Sequence, residues 1–425
     1  MIDHDVKPGR LEHCQICGSS DLELVIDCGH QPLCDTLLSA DDLNRPQKSY
    51  PARLMRCIRC ANAQLDYVVA GEEVYHQRYP YRTGITRELR EYQQALSADL
   101  VTTLALDRGS LVVDVGSNDG TLLRAFQGLG MHAVGVEPTN IAALARADGV
   151  ETVQSFFTEA VARDIVRDHG HAALVTATNV FAHMANLGEV MRGIRALIGN
   201  DGVFVLENHY LLDVIQRNQY DTVYHEHVRT YCLKALVTLF EQYGMEVFSA
   251  RRVPRYGGNI RAVAGIKGHR PVDPVVAEIL KTEGDYGLFG PDVYARFRRN
   301  VEQTRDDFLG LLVSARQNGQ SVAGKSCPGR CVTLLNYVGA GPHLMPYIAE
   351  QPTSLKLGMY VPGVHIPIVE DAVLLKDQPD YVVLLAWHYG YPIGRLLREM
   401  GLKSKLVMPL PQVTVWDGAV PNPPN

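Results

Sequence analysis

The middle of the chain alternates short apolar runs with longer stretches of helical spacing. The runs 111–115, 133–136, 173–177 and 203–207 are suited to buried strands. Helical segments lie between them, and a further helix is expected over residues 87–106. Because parallel strands need helical crossovers that cover both faces of the sheet, this alternation predicts an α/β domain built on a parallel sheet.

A second alternating region follows toward the C-terminus. Residues 271–317 have a mainly helical pattern with a break near 284–291. The apolar runs 331–337 and 381–385 have the length of buried strands, and we expect them to form strands. The chain is therefore expected to contain two α/β regions.

Composition and charge narrow the class of protein. With 425 residues the chain is long enough for two or three domains, and 46% hydrophobic with 21% charged residues is typical of a globular protein. The net charge of −6 gives no general attraction to nucleic acid or to an anionic membrane. No run of about 18 apolar residues occurs, so no membrane span is expected. The polar, acidic start argues against a signal peptide, and we expect a cytoplasmic protein.

Four of the nine cysteines form two CxxC pairs near the start of the chain, Cys14 with Cys17 and Cys57 with Cys60. In a cytoplasmic chain, cysteines are more often metal ligands or free thiols than disulfides. Each pair can place two thiolates on one ion, and two pairs complete a tetrahedral zinc site that has no open position. A redox pair or two unrelated CxxC matches are the alternatives. We expect a structural zinc in a module that spans residues 1–72.

The segment 114–120, with the sequence DVGSNDG, joins the first apolar run to a helix. Gly116 permits close approach of the backbone to a ligand, and the helix N-terminus supplies free N–H groups. Glu137 ends the next apolar run, where a carboxylate can accept both hydroxyls of a ribose. This spacing suits a dinucleotide or S-adenosylmethionine. The loop lacks GxGxxG, and Asp114 at the strand end suits a cationic sulfonium better than a pyrophosphate.

Ligands of such sheets gather at the carboxyl ends of the strands. Asn179 and His183 follow the third apolar run, so we expect them beside the reactive end of the cofactor. A lone histidine is more often a structural hydrogen-bonding residue, which is the alternative for His183. The residues expected to border S-adenosylmethionine are Asp114, Gly116, Ser117, Asn118, Glu137, Pro138 and Asn179.

The run 222–227, TVYHEH, contains a phenol, a carboxylate and two imidazoles. If it forms a turn of helix, Tyr224 and His227 share a face; if it is extended, His225 and His227 do. The HExxH pattern of a metalloprotease is absent. Titratable groups near a cofactor cleft suit proton transfer, because histidine has a pKa close to working pH. A buried polar network is the alternative.

Six blocks in order resemble one known family. After the four-cysteine module come GSNDGTLL (116–123), NVFAHM (179–184), DTVYHEH (221–227), YGGNIR (256–261) and YVPGVHIPI (360–368). Together they resemble the deoxysugar C-methyltransferases of antibiotic biosynthesis, which act on nucleotide-linked keto sugars. The resemblance spans nearly the whole chain, from Cys14 to about Pro411.

The resemblance implies an organisation and a reaction. The organisation is a zinc-binding module at residues 1–72, a Rossmann-like S-adenosylmethionine-dependent methyltransferase domain at 73–255 and a C-terminal Rossmann-like domain at 256–425. In the reaction, a base removes the proton alpha to a ketone, and the enolate carbon attacks the methyl group of the cofactor.

The resemblance also implies roles for particular residues. The base would be His227, the second histidine of YHEH. Tyr224, Glu226 and His183 would line the same site. An aromatic stretch that contains Tyr79 and Tyr81 is similar to a family segment that closes over the substrate.

One block departs from the family pattern. Where the family has a glycine-rich loop, GYGAxxKG, this chain has GKSCPGRC at 324–331. Arg330 occupies the lysine position, and Ser326 and Cys331 occupy two glycine positions. If that loop holds the substrate, the acceptor could instead be a non-sugar metabolite. An inactive zinc-bearing scaffold is a further alternative, disfavoured because the cofactor loop, Glu137 and YHEH are all present.

Overall fold

A computed structural model describes residues 4–76, 79 and 82–422, which form three parts packed against one another. Tyr81, one of the two tyrosines of the predicted closing segment, lies outside these residues. In the ranges that are described, no helix is both long enough and apolar enough to cross a membrane.

The N-terminal part is a small antiparallel sheet that carries the cysteine pairs. Its strands are β1 (Gly9–Arg10), β2 (Leu22–Gln31), β3 (Tyr50–Cys57), β4 (Ala63–Leu65) and β5 (Tyr67–Val68). Strands β2, β3 and β4 are neighbours, and β1 pairs separately with β5. Cys57 is the last residue of β3 and lies opposite Leu22, so the second cysteine pair lies at one end of the sheet.

The central part is a seven-stranded sheet with helices on both faces. Its elements are α1 (Gly71–Val74), α2 (Arg87–Thr103), β6 (Leu111–Val115), α3 (Thr121–Gly128), β7 (His132–Val136), α4 (Ala142–Ala147), β8 (Glu151–Val153), α5 (Glu159–His169), β9 (Leu174–Thr178), α6 (Leu187–Ile198), β10 (Val203–His209), α7 (Leu211–Gln216), β11 (Arg229–Thr230), α8 (Leu233–Glu241), β12 (Met245–Val253) and β13 (Asn259–Ile266).

The strand order of the central sheet is β12-β13-β10-β9-β6-β7-β8. Strands β6 to β10 are parallel, whereas β13 is antiparallel to both of its neighbours. Residues such as Val113, Val175 and Val205 are fully buried, as expected for strands that are covered on both faces. The predicted parallel α/β sheet is confirmed. The boundary predicted at residue 255 falls between β12 and β13, which are neighbours in this sheet.

The C-terminal part is a second α/β sheet, preceded by two helices. Its elements are α9 (Pro274–Asp285), α10 (Asp292–Gln317), β14 (Val322–Lys325), α11 (Cys331–Val338), β15 (Ile348–Glu350), β16 (Ile368–Glu370), α12 (Asp371–Asp377), β17 (Tyr381–Leu384), α13 (Gly390–Glu399), β18 (Lys405–Met408) and β19 (Thr414–Trp416). The strand order is β16-β15-β14-β17-β18-β19, and all pairs are parallel except β18 with β19.

The strand predicted at 331–337 is wrong, because these residues form helix α11. A seven-residue apolar run fits a buried strand and a buried helix equally well. Here the run follows strand β14 and a short loop, and it ends at Gly339, which has a left-handed conformation with φ of +76°. Such a glycine closes the C-terminal end of a helix, so the run completes a strand–loop–helix unit.

The segment that follows YHEH joins the central part to the N-terminal sheet. Strand β11 pairs with β4, so that Arg229 lies opposite Gln64 and Thr230 opposite Ala63. The same arginine donates to Gln15 Oε1, within the first cysteine pair, at 2.6 Å. The run 222–227 is therefore fixed from one side by the N-terminal module.

Candidate active site

The four paired cysteines form one cluster. All four Sγ atoms lie within 4.8 Å of one another, and the Cys14–Cys60 and Cys17–Cys57 Sγ distances are both 3.5 Å. A tetrahedral zinc ion with Zn–S bonds of about 2.3 Å needs sulfur separations of a little under about 4 Å, so the cluster fits zinc. The Ile16 N–H donates to Cys14 Sγ at 3.4 Å, which favours a thiolate there. The cluster does not line the cavity described below.

The cofactor loop follows strand β6 and is built around a glycine. Gly116 has φ of +73°, and a side chain there would meet Val180. The next turn is held across to β7, because the Asn118 N–H donates to Glu137 Oε2 at 3.0 Å. The other oxygen of Glu137 accepts from Thr139 N at 2.9 Å and Thr139 Oγ1 at 2.6 Å. The buried Glu137 carboxylate is thereby fixed in one orientation.

Asp114 lies beside Glu137 at the end of β6. Burial, together with the nearby charge of Glu137, raises the pKa of Asp114 to about 7, although Thr176 Oγ1 donates to its carboxylate at 2.6 Å. A cation bound next to this pair would favour the ionised carboxylate. The pair therefore fits a cofactor that carries both a ribose and a positively charged sulfur.

A cavity of about 430 Å³ opens at this end of the sheet. Its volume is within the range of small-molecule sites. All seven residues predicted to border the cofactor line it: Asp114, Gly116, Ser117, Asn118, Glu137, Pro138 and Asn179. The opposite wall includes His183, Tyr75, Tyr79 and Tyr256. Ser117 Oγ packs over Gly135 of β7 and has no hydrogen-bond partner among the described residues.

Tyr79, Thr83 and Gly84 contact the residues that surround the cavity. The backbone N–H of Thr83 donates to Asn118 Oδ1 at 2.8 Å, and that of Gly84 donates to Asp119 Oδ2 at 2.9 Å. Tyr79 reaches across the cavity, where its hydroxyl donates to Glu226 Oε2 at 3.1 Å. Tyr79 therefore contacts the YHEH run, and Thr83 and Gly84 contact the cofactor loop.

The YHEH run forms a turn rather than an extended strand. The His227 N–H donates to Tyr224 O at 2.9 Å, which brings the two side chains to the same side. Tyr224 Oη lies 3.0 Å from His227 Nε2, and His227 Nδ1 lies 2.9 Å from the carbonyl oxygen of Thr222. A carbonyl can only accept, so Nδ1 carries the proton and Nε2 is the basic nitrogen.

His225 points the other way, toward the N-terminal module. Its Nε2 lies 3.1 Å from the carbonyl oxygen of Pro51, and its ring contacts Tyr50 edge-on. His225 Nδ1 has no hydrogen-bond partner among the described residues. His225 borders the cavity, whereas His227 lies behind His183, with their ring centroids 4.9 Å apart.

The electrostatic surroundings shift the pKa values of His227 and Glu226 in opposite directions. Burial, assisted by the charge of Arg330, lowers the pKa of His227 to about 4, so its imidazole is neutral at pH 7. Burial and the neighbouring charge of Asp35 raise the pKa of Glu226 well above its ordinary range. The turn therefore pairs a neutral imidazole with a carboxyl group that tends to keep its proton.

Three further aromatic residues are connected to His227 through ring contacts, and the sequence did not assign them to the site: His209, Tyr256 and His388. The His209 ring lies 4.8 Å from that of His227, and Tyr256 lies 6.2 Å from His209 and 6.4 Å from His388. Burial lowers the pKa of His209 and of His388 well below the usual range. His209 is the last residue of strand β10, and the tendency of ligands to gather at strand ends could have indicated it.

Arg330, the residue at the family's lysine position, is buried in an interface and does not line the cavity. It forms a two-pronged ion pair with Asp221, at 2.6 and 2.7 Å, and Trp387 Nε1 donates to the same carboxylate at 2.7 Å. Asp221 immediately precedes Thr222, the carbonyl partner of His227. The C-terminal part thus holds the YHEH turn from the side opposite the N-terminal module.

The sheet order and a cofactor loop at the strand ends define a methyltransferase fold, and comparison with known proteins agrees. Residues 14–75 match a family described as "Putative zinc binding domain", residues 89–250 a "Methyltransferase domain" and residues 254–411 a "C-methyltransferase C-terminal domain". These matches follow one another along nearly the entire chain.

A curated relative matches all three parts together. C-methyltransferase NovU from Streptomyces niveus is 32% identical over 408 residues, which are 95% of this chain and 97% of NovU. The chain belongs to this family of C-methyltransferases, and it is an S-adenosylmethionine-dependent C-methyltransferase with a zinc-binding module.

Solved structures match less than half of the chain at low identity. A SAM-dependent methyltransferase from Anabaena variabilis is 14% identical, with a TM-score of 0.34, covering 41% of this chain and 85% of its own. The PH0226 protein from Pyrococcus horikoshii is 17% identical, with a TM-score of 0.35, covering 44% and 95%.

Proposed function

We propose that this C-methyltransferase forms an enolate alpha to a ketone and methylates the enolate carbon, and that its acceptor is a nucleotide-linked keto-deoxysugar. The observation that carries the proposal is the Tyr224–His227 pair, held in one tautomer, with the His227 ring 4.9 Å from that of His183, which lines the same cavity as the cofactor loop. Methylation of a carbon alpha to a ketone first needs a base, because removal of the alpha proton creates the carbon nucleophile. The Tyr224–His227 pair supplies that base.

His227 is the proposed base. Its Nδ1 proton is committed to the carbonyl of Thr222, so Nε2 can accept a proton directly or through the hydroxyl of Tyr224. A lowered pKa keeps the imidazole neutral over the physiological range. His183 and His209 flank the ring, and because the pKa of each lies well below the usual range, both stay neutral and do not repel the imidazolium that forms.

Negative charge develops on the carbonyl oxygen as the proton leaves, and we assign its stabilisation to Glu226 and Tyr79. A raised pKa lets Glu226 retain a proton that it can donate to the oxygen. The hydroxyl of Tyr79, 3.1 Å from Glu226, is a second donor at the same place. Donors fixed before the reaction stabilise such an oxyanion more than water does.

The cofactor and the metal have separate roles in this proposal. S-adenosylmethionine, when bound, supplies the methyl group, and Glu137 would hold its ribose while Asp114 and Gly116 border the rest. Zinc would be held by Cys14, Cys17, Cys57 and Cys60. Four thiolates leave no open coordination position, so the ion serves structure rather than chemistry.

The identity of the acceptor rests on the family and on the position of the altered loop. The six sequence blocks are similar to enzymes that act on nucleotide-linked keto sugars, and NovU is a full-length relative. Arg330 of the altered loop takes part in a domain interface instead of lining the cavity. The departure at 324–331 is therefore no argument for a different acceptor.

A screen of nucleotide-linked keto sugars with S-adenosylmethionine, read by mass, tests the acceptor. We expect a mass gain of one methylene on a sugar with a proton alpha to its ketone. With S-adenosylhomocysteine in place of the methyl donor, the same sugar should exchange that proton with deuterated water. Methyl transfer to oxygen, or turnover without exchange, would contradict the enolate mechanism.

A further inference from the structure

Arg255 is a buried guanidinium on the wall of the cavity. It lies in the turn between β12 and β13, only 9% of its surface is exposed, and it lines the same cavity as the cofactor loop. Its Nη2 donates to Tyr256 Oη at 3.3 Å. Within the described part of the chain, its Nε has no partner and no carboxylate forms an ion pair with it.

The neighbouring buried arginines are paired with acids. Arg261 contacts Glu207 at 2.8 Å, and Arg330 contacts Asp221 at 2.6 Å. Removing a guanidinium from water is unfavourable unless an anion compensates for the loss of hydration. Arg255 is buried like Arg261 and Arg330, but it has no acidic partner among the described residues. An anion that arrives with a bound ligand would supply the missing negative charge.

Aromatic rings hold the guanidinium in place. Its central carbon lies 3.8 Å from the centroid of the Tyr92 ring and 4.8 Å from that of Tyr256. Tyr256 itself has a left-handed backbone with φ of +51°, followed by Gly257 and Gly258 with φ of +90° and +124°. A side chain at Gly258 would meet Asp213, so the turn has little freedom. Stacking on rings leaves the edge of a guanidinium available for a planar or tetrahedral oxyanion.

The arginine lies close to the proposed proton-transfer group. Tyr256, which touches Arg255, is 6.2 Å from the His209 ring, and His209 is 4.8 Å from the His227 ring. One ligand could therefore contact Arg255 with an anionic group while it presents a carbon to His227. This is the arrangement that a sugar with a diphosphate on its anomeric carbon requires.

We propose that Arg255 binds the diphosphate of the acceptor. The inference rests on the proposed function, because it gives that acceptor's phosphates a receptor. The methionine carboxylate of the cofactor is a second oxyanion that enters the same cavity. The acceptor is favoured because Tyr256, the partner of Arg255, contacts His209 and His388 on the proton-transfer side.

Binding measurements on the whole protein distinguish the diphosphate of the acceptor from the methionine carboxylate of the cofactor as the anion that Arg255 binds. Calorimetry with inorganic pyrophosphate, thymidine diphosphate and uridine diphosphate should show that Arg255→Gln weakens diphosphate affinity about tenfold or more, the usual scale for a lost charge-assisted contact. Affinity for S-adenosylhomocysteine should be unchanged, which also shows that the variant is folded. Arg255→Lys, which keeps the charge, should restore part of the affinity. Arg251→Gln, a nearby exposed arginine paired with Asp99, is the matched control and should behave as wild type.

The outcomes are distinct from those that test the proposed function. Equal pyrophosphate and nucleoside diphosphate affinity in wild type and Arg255→Gln would overturn the inference, as would weakened S-adenosylhomocysteine binding alone. If nucleotide-linked keto sugars are turned over with the same KM in both proteins, the inference fails and the proposed function stands. If none is turned over but diphosphate binding depends on Arg255, the oxyanion site stands and the proposed acceptor fails.

Discussion

The two walls of the cavity are built in different ways. The cofactor wall comes mainly from residues 114–139, where β6, its loop and β7 fix Glu137 through bonds to their own neighbours. The proton-transfer wall includes Tyr79, His183 and Tyr256; the turn 222–227 packs against His183 and is held by the interface residue Arg330 through Asp221. One wall is a local motif, and the other depends on all three parts of the molecule.

This difference suggests that cofactor binding and proton transfer can be separated experimentally. A change that loosens either flanking part should disturb the YHEH turn, because β11 pairs with the N-terminal sheet and Asp221 pairs with Arg330. The bonds that fix Glu137 on the cofactor side come from Asn118 and Thr139, both within the central part. The following changes test that contrast.

Loss of the zinc site should have the largest effect. In small zinc domains, bound zinc stabilises the folded state by an apparent free energy of roughly 10–16 kcal/mol. Loss of one ligand in Cys57→Ser should therefore unfold the N-terminal module. We expect elemental analysis to find one zinc per chain in the wild type and none in the variant. The variant should also lose turnover, whereas its affinity for S-adenosylhomocysteine should fall much less. Cys28→Ser, a buried thiol of the same module outside the cluster, should keep both zinc and activity. Zinc-free protein with normal turnover would refute the dependence.

Removal of the proposed base should abolish chemistry and leave cofactor binding intact. His227→Asn is expected to lower kcat by about 10²–10⁴-fold, the usual range for general-base catalysis, and to stop exchange of the alpha proton with deuterated water. S-adenosylhomocysteine affinity by calorimetry should not change. His225→Asn is the comparison variant: this ring borders the cavity, but its Nε2 is hydrogen-bonded to the carbonyl of Pro51, so alpha-proton exchange should continue. The reverse pattern between the two variants would move the base two residues upstream.

Glu137→Ala should affect the cofactor wall alone. Loss of hydrogen bonds to a charged group should weaken S-adenosylhomocysteine binding by about 1–3 kcal/mol. Alpha-proton exchange in the presence of saturating S-adenosylhomocysteine should continue, because the proton-transfer wall is untouched. Glu189→Ala, another carboxylate on the cavity wall, is expected to change cofactor affinity far less. Equal affinity in wild type and Glu137→Ala would remove Glu137 from the ribose site.

The pH dependence of activity is the smallest of the expected effects, and it tests whether neutral His227 is the base. His227 acts as a base only when neutral, and its pKa is lowered to about 4, so activity should be kept as pH falls through 6.5 and lost near about pH 4. Arg330→Lys keeps the positive charge that contributes to this shift, and the acid limb should stay in place. The measurement is kcat/KM against pH, with zinc content and recovery at pH 7 checked at each point, because acid also releases thiolate-bound metal. With S-adenosylmethionine saturating, so that the bound cation keeps Asp114 ionised, an acid limb near pH 6.5 would contradict the assignment.

The same contrast explains what the sequence could predict. The strand–loop–helix form of residues 111–128, the clustering of the CxxC pairs and the four central strands depend on spacing between near neighbours, and these expectations match the structure. Arg255 and His388 could not be assigned, because their place beside the site depends on contacts between residues that are far apart in the chain, whereas the position of His209 at the end of β10 is a signal that the sequence does carry. Residues 331–337 form a helix instead of the predicted strand, because a run of seven residues carries no decisive periodicity.

The pairing of β11 with β4 also has a consequence for how the chain reaches its native state. Synthesis completes the N-terminal module first, and until residue 230 has emerged, β4 is an unprotected edge of its sheet. Exposed edge strands are templates for association between chains. The strand that follows the YHEH turn covers that edge, so a chain with an incorrectly placed turn would be prone to aggregate as well as inactive.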